Sequence, residues 1–301
     1  MIGRGTFGKV FLAEFVRNST QYAIKSIRKD VLIEYDQVEN TLREKDILFE
    51  CKHPFLIQMD FLFQNEMRLY FVMPFIQGGE LYKILKNEKK FKEDVVIFYA
   101  IQLILAIDYL HNKNIIHRDL KLENIMIDVE GYIKIIDYGL AKKLDETVED
   151  EATTYCGTPE YLAPEMVARS GHDKSVDWWA IGVLMYEMLF GMTPFYNQNQ
   201  RKLLKKIKTS KVLFPDKTKF KIDYSDEIMD LIIRLLDKDR ATRMGSNGGA
   251  KEILSHPLFK KWDHNKILNK TMEPPFKPDA NKSGQLKYFN VNNDVQDSII
   301  P

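Results

Sequence analysis

Asp119, Lys121 and Asn124 put a carboxylate, an ammonium and a carboxamide within six residues, in the run His117-Arg118-Asp119-Leu120-Lys121-Leu122-Glu123-Asn124. Thirteen residues after Asn124 comes a second carboxylate, Asp137, in Asp137-Tyr138-Gly139. An amide oxygen and a carboxylate brought to one place suit Mg²⁺, a hard cation that takes few protein ligands and otherwise keeps waters and phosphate oxygens. Beside such a metal, Asp119 can accept a hydroxyl proton. Lys121 can neutralise charge on a transferring phosphoryl group. These residue types point to phosphoryl transfer, although the octapeptide alone would also suit a charged surface loop.

The flanking pattern supplies the mounting. Val95 to His111 is a long apolar helix candidate, and Ile115-Ile116 lead in as a short strand. Ile125-Met126-Ile127 and Tyr132 to Ile136 read as two strands joined by a turn at Glu130-Gly131, a hairpin that returns Asn124 and Asp137 to the same place. The polar run is thus a loop held between a buried helix and a hairpin, the rigid support on which loops carry chemistry.

Near the start, Gly3, Gly5 and Gly8 make a G-x-G-x-x-G, followed by the strand-like Val10-Phe11-Leu12-Ala13. No helix pattern follows the third glycine, so the loop joins two strands rather than opening a dinucleotide-binding helix. Its glycines let backbone N–H groups approach phosphate oxygens. Tyr22 to Ile27 is the next strand, with Lys25 its single charge, and an amphipathic helix is expected from about Tyr35 to Glu50. Further strands are expected around Leu56–Phe63 and Arg68–Phe71.

Taken together, these motifs resemble those of protein kinases in order and spacing: the glycine loop, Ala23-Ile24-Lys25, the His117-to-Asn124 loop, Asp137-Tyr138-Gly139 and Ala163-Pro164-Glu165. The resemblance implies an α+β, bilobal fold. Residues 1–73 would form a small lobe of antiparallel sheet with one principal helix, 74–77 a hinge, 78–259 a mainly helical large lobe, and 260–301 a C-terminal extension. It implies ATP and Mg²⁺ as cofactors. Ile2, Gly3, Gly5, Gly8, Val10, Ala23 and Lys25 would surround the nucleotide, with Met73, Pro74, Ile76 and Phe289. Glu44 would pair with Lys25, with Asp119 as catalytic base, Lys121 beside it, and Asn124 and Asp137 on the metal. Thr158 would hydrogen-bond near Asp119, and Arg243 would pair with Glu165 to lock the large lobe.

Lys121, two residues after Asp119, resembles the serine/threonine branch. Cys156-Gly157-Thr158-Pro159-Glu160 and the proline-rich Pro274-Pro275-Phe276-Lys277-Pro278 resemble the AGC group, in particular protein kinase B, SGK and protein kinase C. This implies phosphorylation of Thr154 by an upstream kinase, with Arg118 and Lys142, five residues after Asp137, able to donate to the phosphate. Glu80, Glu123 and Glu187 would face arginines of a protein substrate ahead of its Ser or Thr. Tyr155, Pro159 and Leu162 would line the pocket after it. The alternative is a catalytically weak pseudokinase or nucleotide-binding scaffold.

Four departures stand out. Tyr138 replaces the usual Phe and needs a hydroxyl partner, and Pro74 replaces a usual Glu. No aromatic hydrophobic motif appears before Pro301, and only two residues precede the glycine loop, so a weakly anchored flap is expected.

With 44 Lys and Arg against 43 Asp and Glu, the balance offers no general attraction to nucleic acid. Cys51 and Cys156 are too few for a disulfide framework, which suits a reducing compartment such as the cytoplasm or nucleus. The longest apolar run, Val95 to Ile107, contains Gln102 and is too short to span a bilayer, so no transmembrane segment is expected. Arg201, Lys202, Lys205, Lys206 and Lys208 alternate with Leu203, Leu204 and Ile207 as the solvated face of a helix.

Overall fold

The computed structural model describes residues 1–5, 7–144, 152, 156–220 and 222–278. Alternating side chains in the first part build a five-stranded antiparallel sheet in the order β1-β2-β3-β5-β4. Its strands are β1 (Gly3–Arg4), β2 (Gly8–Phe15), β3 (Thr20–Arg28), β4 (Phe61–Gln64) and β5 (Arg68–Pro74). Val10 pairs with Lys25, and Ala23 with Met73. Because strand side chains alternate with period two, this register sets Val10, Ala23, Lys25 and Met73 on one face of the sheet. The glycine flap is paired from Ile2 onward, through Ile2 N–H to Val10 O at 2.8 Å and Gly5 N–H to Gly8 O at 2.9 Å. Gly8 cannot be replaced without moving β3, since a Cβ there would lie 2.0 Å from Ser26 O.

Two sequence expectations are corrected. The helix expected from Tyr35 is two helices, α1 (Lys29–Glu34) and α2 (Val38–Glu50). Asp36 adopts a left-handed φ of 51° and its N–H bonds Ile33 O, which closes α1 before α2 can begin. The strand expected from Leu56 starts only at Phe61. Before it, Ile57 N–H turns to Ile135 O and Met59 N–H to Leu48 O, so this segment ties the lobes' core together instead of extending the sheet.

The large lobe is helical, with α3 (Leu81–Glu88), α4 (Glu93–His111), α5 (Pro164–Ala168), α6 (Ser175–Phe190), α7 (Gln200–Thr209), α8 (Lys217–Phe220), α9 (Asp226–Leu235), α10 (Gly249–Leu254) and α11 (His264–Leu268). Short strands β6 (Ile115–Ile116) and β9 (Lys142–Lys143) pair with each other, as do β7 (Ile125–Ile127) and β8 (Ile133–Ile135). Helices α4 and α6 are apolar nearly all round and are buried, as such helices must be. Among the described residues α4 is the one helix long and apolar enough to cross a bilayer, and it lies inside the lobe. Its buried Gln102 is satisfied, donating to Phe98 O and accepting from Ile133 N–H, which fastens β8 to the helix. In α7, Leu203 and Ile207 are buried while Arg201, Lys202, Lys205 and Lys208 are exposed, the solvated face expected of it.

Composition alone would leave the segment after residue 270 disordered. Instead, Tyr132 donates to Met272 O at 2.5 Å and Phe276 packs on Phe91 with ring centroids 5.6 Å apart. Gly131, at φ 96°, makes room for it, because a Cβ there would lie 2.5 Å from Phe276 O.

Candidate active site

Asp119 sits at the centre of a closed set of donors. Its Oδ2 accepts from Lys121 Nζ at 2.6 Å and Asn124 Nδ2 at 3.1 Å, and its Oδ1 from the N–H and hydroxyl of Thr158, both at 3.1 Å. Lys121 Nζ also reaches Thr158 Oγ1 at 3.0 Å. The catalytic-loop residues and Thr158, far apart in sequence, are thus joined around one carboxylate.

What holds the loop is Asp177, a lone carboxylate near the start of α6. Its oxygens accept from the backbone N–H groups of His117 and Arg118, each at 2.9 Å, and from His111 Nε2 at 2.8 Å. Burial works against its charge, but these His111 and His117 contacts outweigh that and keep its carboxyl below the usual range. The clamp stabilises Arg118 at a φ of 68°, a conformation a non-glycine residue adopts only when its surroundings demand it. Sequence reading passed over Asp177. Its signal was an acid at the head of a mostly apolar helix.

Lys25 Nζ lies 2.5 Å from Glu44 Oε1 and 4.0 Å from Asp137 Oδ1, so one ammonium links α2 to the Asp137-Tyr138-Gly139 turn. Burial opposes the charge on Lys25, but Glu44 and Asp137 outweigh it and raise the amine. Burial, with Asp137 adding to it, pushes Glu44 up against the pull of Lys25. Burial also opposes charge on Asp137. Lys25, the Gly139 N–H, His117 and Lys121 overcome it and hold that carboxyl low, as an anion facing the cleft. The Tyr138 hydroxyl finds its partner in Ile135 O at 3.2 Å.

Between the lobes lies a cleft of about 490 Å³. Ile2, Gly3, Gly5, Gly8, Val10, Ala23, Lys25, Met73, Pro74 and Ile76 all border it, with Glu44, Glu80, Asn124 and Asp137. Apolar walls from Ile2, Val10, Ala23, Met73 and Met126 suit a flat aromatic base. The glycine flap and Lys25 stand at the end where phosphates would lie, next to Asp137. Among the described residues no three His, Cys, Asp or Glu cluster as a metal cage. One carboxylate and one amide beside a phosphate site fit Mg²⁺, which needs no such cage.

Residues 1–259 match the protein kinase domain family. The chain belongs to the protein kinase family. It is 44% identical over 96% of its length to a probable serine/threonine-protein kinase of Dictyostelium discoideum, covering 62% of that protein. It is 41% identical to RAC-beta serine/threonine-protein kinase B of Xenopus laevis and 40% identical to the human RAC-beta serine/threonine-protein kinase, again over 96% of its length. It covers 58% and 59% of those two proteins, so it spans about three fifths of the length of the relatives it matches. These relatives are serine/threonine-protein kinases, and the similarity agrees with the AGC-type motifs of the sequence.

Of the three acids Glu80, Glu123 and Glu187, spread over more than a hundred residues of sequence, Glu123 comes within electrostatic reach of both of the others. Burial pushes Glu123 up, and Asp119 and Glu80 add to the shift. Burial pushes Glu187 up to about 7, with Glu123 and Glu160 contributing against a hydrogen bond from Tyr161. Glu80 is paired with Lys83 at 3.0 Å and Glu187 accepts from Tyr161 Oη at 2.5 Å. Glu123 is different: its Oε2 is buried with no hydrogen-bond partner among the described residues. Pro159 begins a short 3₁₀ turn, and Leu162 just after it is buried. Tyr155, Thr154 and Phe289 lie outside the described residues.

The large lobe of the kinase is pinned by Arg243. Its guanidinium grips Glu165 through two parallel bonds of 2.6 and 2.9 Å and donates through Nε to Asp237 O at 3.0 Å. The fork ties α5, which ends the activation segment, to the turn after α9.

Proposed function

We propose that the chain is an ATP-dependent serine/threonine kinase that phosphorylates arginine-containing sequences and is activated by phosphorylation of Thr154 by an upstream kinase. The observation that carries the catalytic part is the four-donor cage around Asp119, joined through Asn124 to the border of the nucleotide-sized cleft. Mg²⁺ held by Asn124 and Asp137 would supply charge neutralisation on the phosphates when bound. Lys25, positioned by Glu44, binds the phosphate tail. The backbone of residues 74–76 meets the base. There Pro74 costs nothing, since that position contributes a carbonyl and Ile76 the N–H. Asp119, steered by Thr158 and Asn124, accepts the proton of the incoming Ser or Thr hydroxyl, and Lys121 faces the charge that builds on the transferred group. The intact Lys25–Glu44 pair and Asp119 cage favour this over a scaffold without activity.

Substrate preference follows from the acids. The unfilled acceptor on Glu123, flanked by Glu80 and Glu187, suits a guanidinium that carboxylates hold bidentately. Such charged contacts contribute about 1.5–3 kcal/mol each, or roughly ten- to a hundredfold in peptide choice. A positional peptide library should select arginine two to five residues before the acceptor, and Glu123→Gln should erase most of that selection. Selection of acidic residues or proline there would overturn the assignment.

The Glu187 carboxyl adds a pH signature. Below about 7 it is protonated and neutral in the free enzyme; above, it is an anion. Arginine selection at its subsite should therefore strengthen from pH 6 to pH 8, and this slope should vanish in Glu187→Gln. Parallel peptide competition at the two pH values measures it, and an equal slope in the variant would assign the effect elsewhere.

A further inference from the structure

From Arg201 to Lys219 the sequence carries eight Lys and Arg against one acid, Asp216. That stretch holds a net charge of +7 in a chain whose whole charge is +1, so the remainder is net negative. Helix stability does not account for the arrangement. Arg201 and Lys202 stand in the first turn of α7, at the positive end of its dipole, with no acid beside them there. Arg201 with Lys205, and Lys202 with Lys206, are like charges four residues apart, which destabilise a helix. Among the described residues Lys217 is the one member of the eight with a carboxylate partner, Asp226 at 3.1 Å. Lys206 donates to Tyr196 O at 3.2 Å.

The fold presents these cations on a fixed surface. Leu203 and Ile207 bury one side of α7, which turns Arg201, Lys205 and Lys208 outward along the other. Beyond the helix, Tyr186 donates to Leu213 O and Tyr224 to Pro215 O, each at 2.7 Å. The Phe214 ring packs against Phe190 and Tyr224. Side chains alternate along this extended segment, so with Phe214 inward, Lys211 and Leu213 point out together. Leu213 is 76% exposed, and Phe220, next to Lys219, is 54% exposed. Singly exposed apolar side chains are ordinary. Here two of them stand in a surface of unpaired cations.

We propose that α7 and the segment from it to Phe220 form a docking surface for a membrane leaflet rich in anionic phospholipid. The basic side chains would meet the headgroups, while Leu213 and Phe220 enter the interface. Charge complementarity selects an anionic partner. An acidic polypeptide or a nucleic acid would satisfy the lysines but leave Leu213 and Phe220 in water. None of these side chains borders the nucleotide cleft.

Flotation of the whole chain with phosphatidylcholine vesicles, with and without phosphatidylserine, tests this. Binding should require phosphatidylserine and weaken as salt is raised. One lysine near such a surface contributes about fivefold to partitioning, so Lys202→Gln, Lys205→Gln, Lys208→Gln and Lys211→Gln together should lower it at least about a hundredfold. Leu213→Ser with Phe220→Ser should weaken vesicle binding about tenfold, yet leave binding to soluble polyglutamate and to a DNA duplex unchanged. All six side chains are exposed, so unchanged melting temperatures are expected and show that the variants fold. No binding of the wild-type chain to phosphatidylserine vesicles, or equal binding by the quadruple variant, overturns the proposal. Vesicle binding that ignores Leu213 and Phe220 also overturns it, and tighter binding to polyglutamate or DNA then assigns the lysines to a soluble polyanion.

Discussion

Asp119→Asn should leave nucleotide binding intact and cut phosphate transfer by about 10²–10⁴-fold, the usual contribution of a positioned general base. The side chain keeps its shape but loses the basic carboxylate, since an amide does not take up a proton at neutral pH. It must also present an NH₂ either to the Lys121 and Asn124 donors on one side or to the Thr158 donors on the other. Every described hydrogen bond of the Asp119 carboxylate is with a donor, so the variant both loses the base and loosens the cage that aims it. Nucleotide affinity depends on the flap, the hinge and Lys25, none of which bonds Asp119. Transfer to an arginine-containing peptide, measured beside ATP affinity by calorimetry, separates the two. Turnover within a few-fold of wild type would remove Asp119 from the mechanism.

Much of this site was legible because its chemistry is concentrated in short stretches. The run from His117 to Asn124 carries base, cation and amide together, and Lys25 stood out as the single charge of the strand from Tyr22 to Ile27. Harder to see was anything fixed by convergence of distant residues. Asp177 looks like one more acid at a helix start, yet it positions the loop because α6 passes beneath it. The boundary errors have local causes. A left-handed Asp36 split one helix, and long-range bonds from Ile57 and Met59 took residues from a strand that their β-branched and apolar character suggested.

Arg243→Gln should be the most destabilising single change in the large lobe outside its apolar core. The guanidinium is 0% exposed, and Glu165 beside it is 7% exposed. Removing one partner leaves a carboxylate buried without its counter-charge, a loss of about 3–5 kcal/mol in such pairs. At about 2–4 °C per kcal/mol for a unit of this size, the melting temperature should fall by roughly 6–20 °C. Arg243→Lys should recover only part of this, since an ammonium cannot make both parallel bonds or reach Asp237 O at the same time. The double variant Arg243→Met, Glu165→Met should recover more than either single change, because no stranded charge remains. The pair also connects α5 to the turn after α9, so loosening it should reach the activation segment and lower activity below the melting transition. Urea unfolding of the three variants beside peptide phosphorylation at low temperature tests both parts. A loss under about 1 kcal/mol in Arg243→Gln would mean that α5 is held by its packing and that the ion pair contributes little.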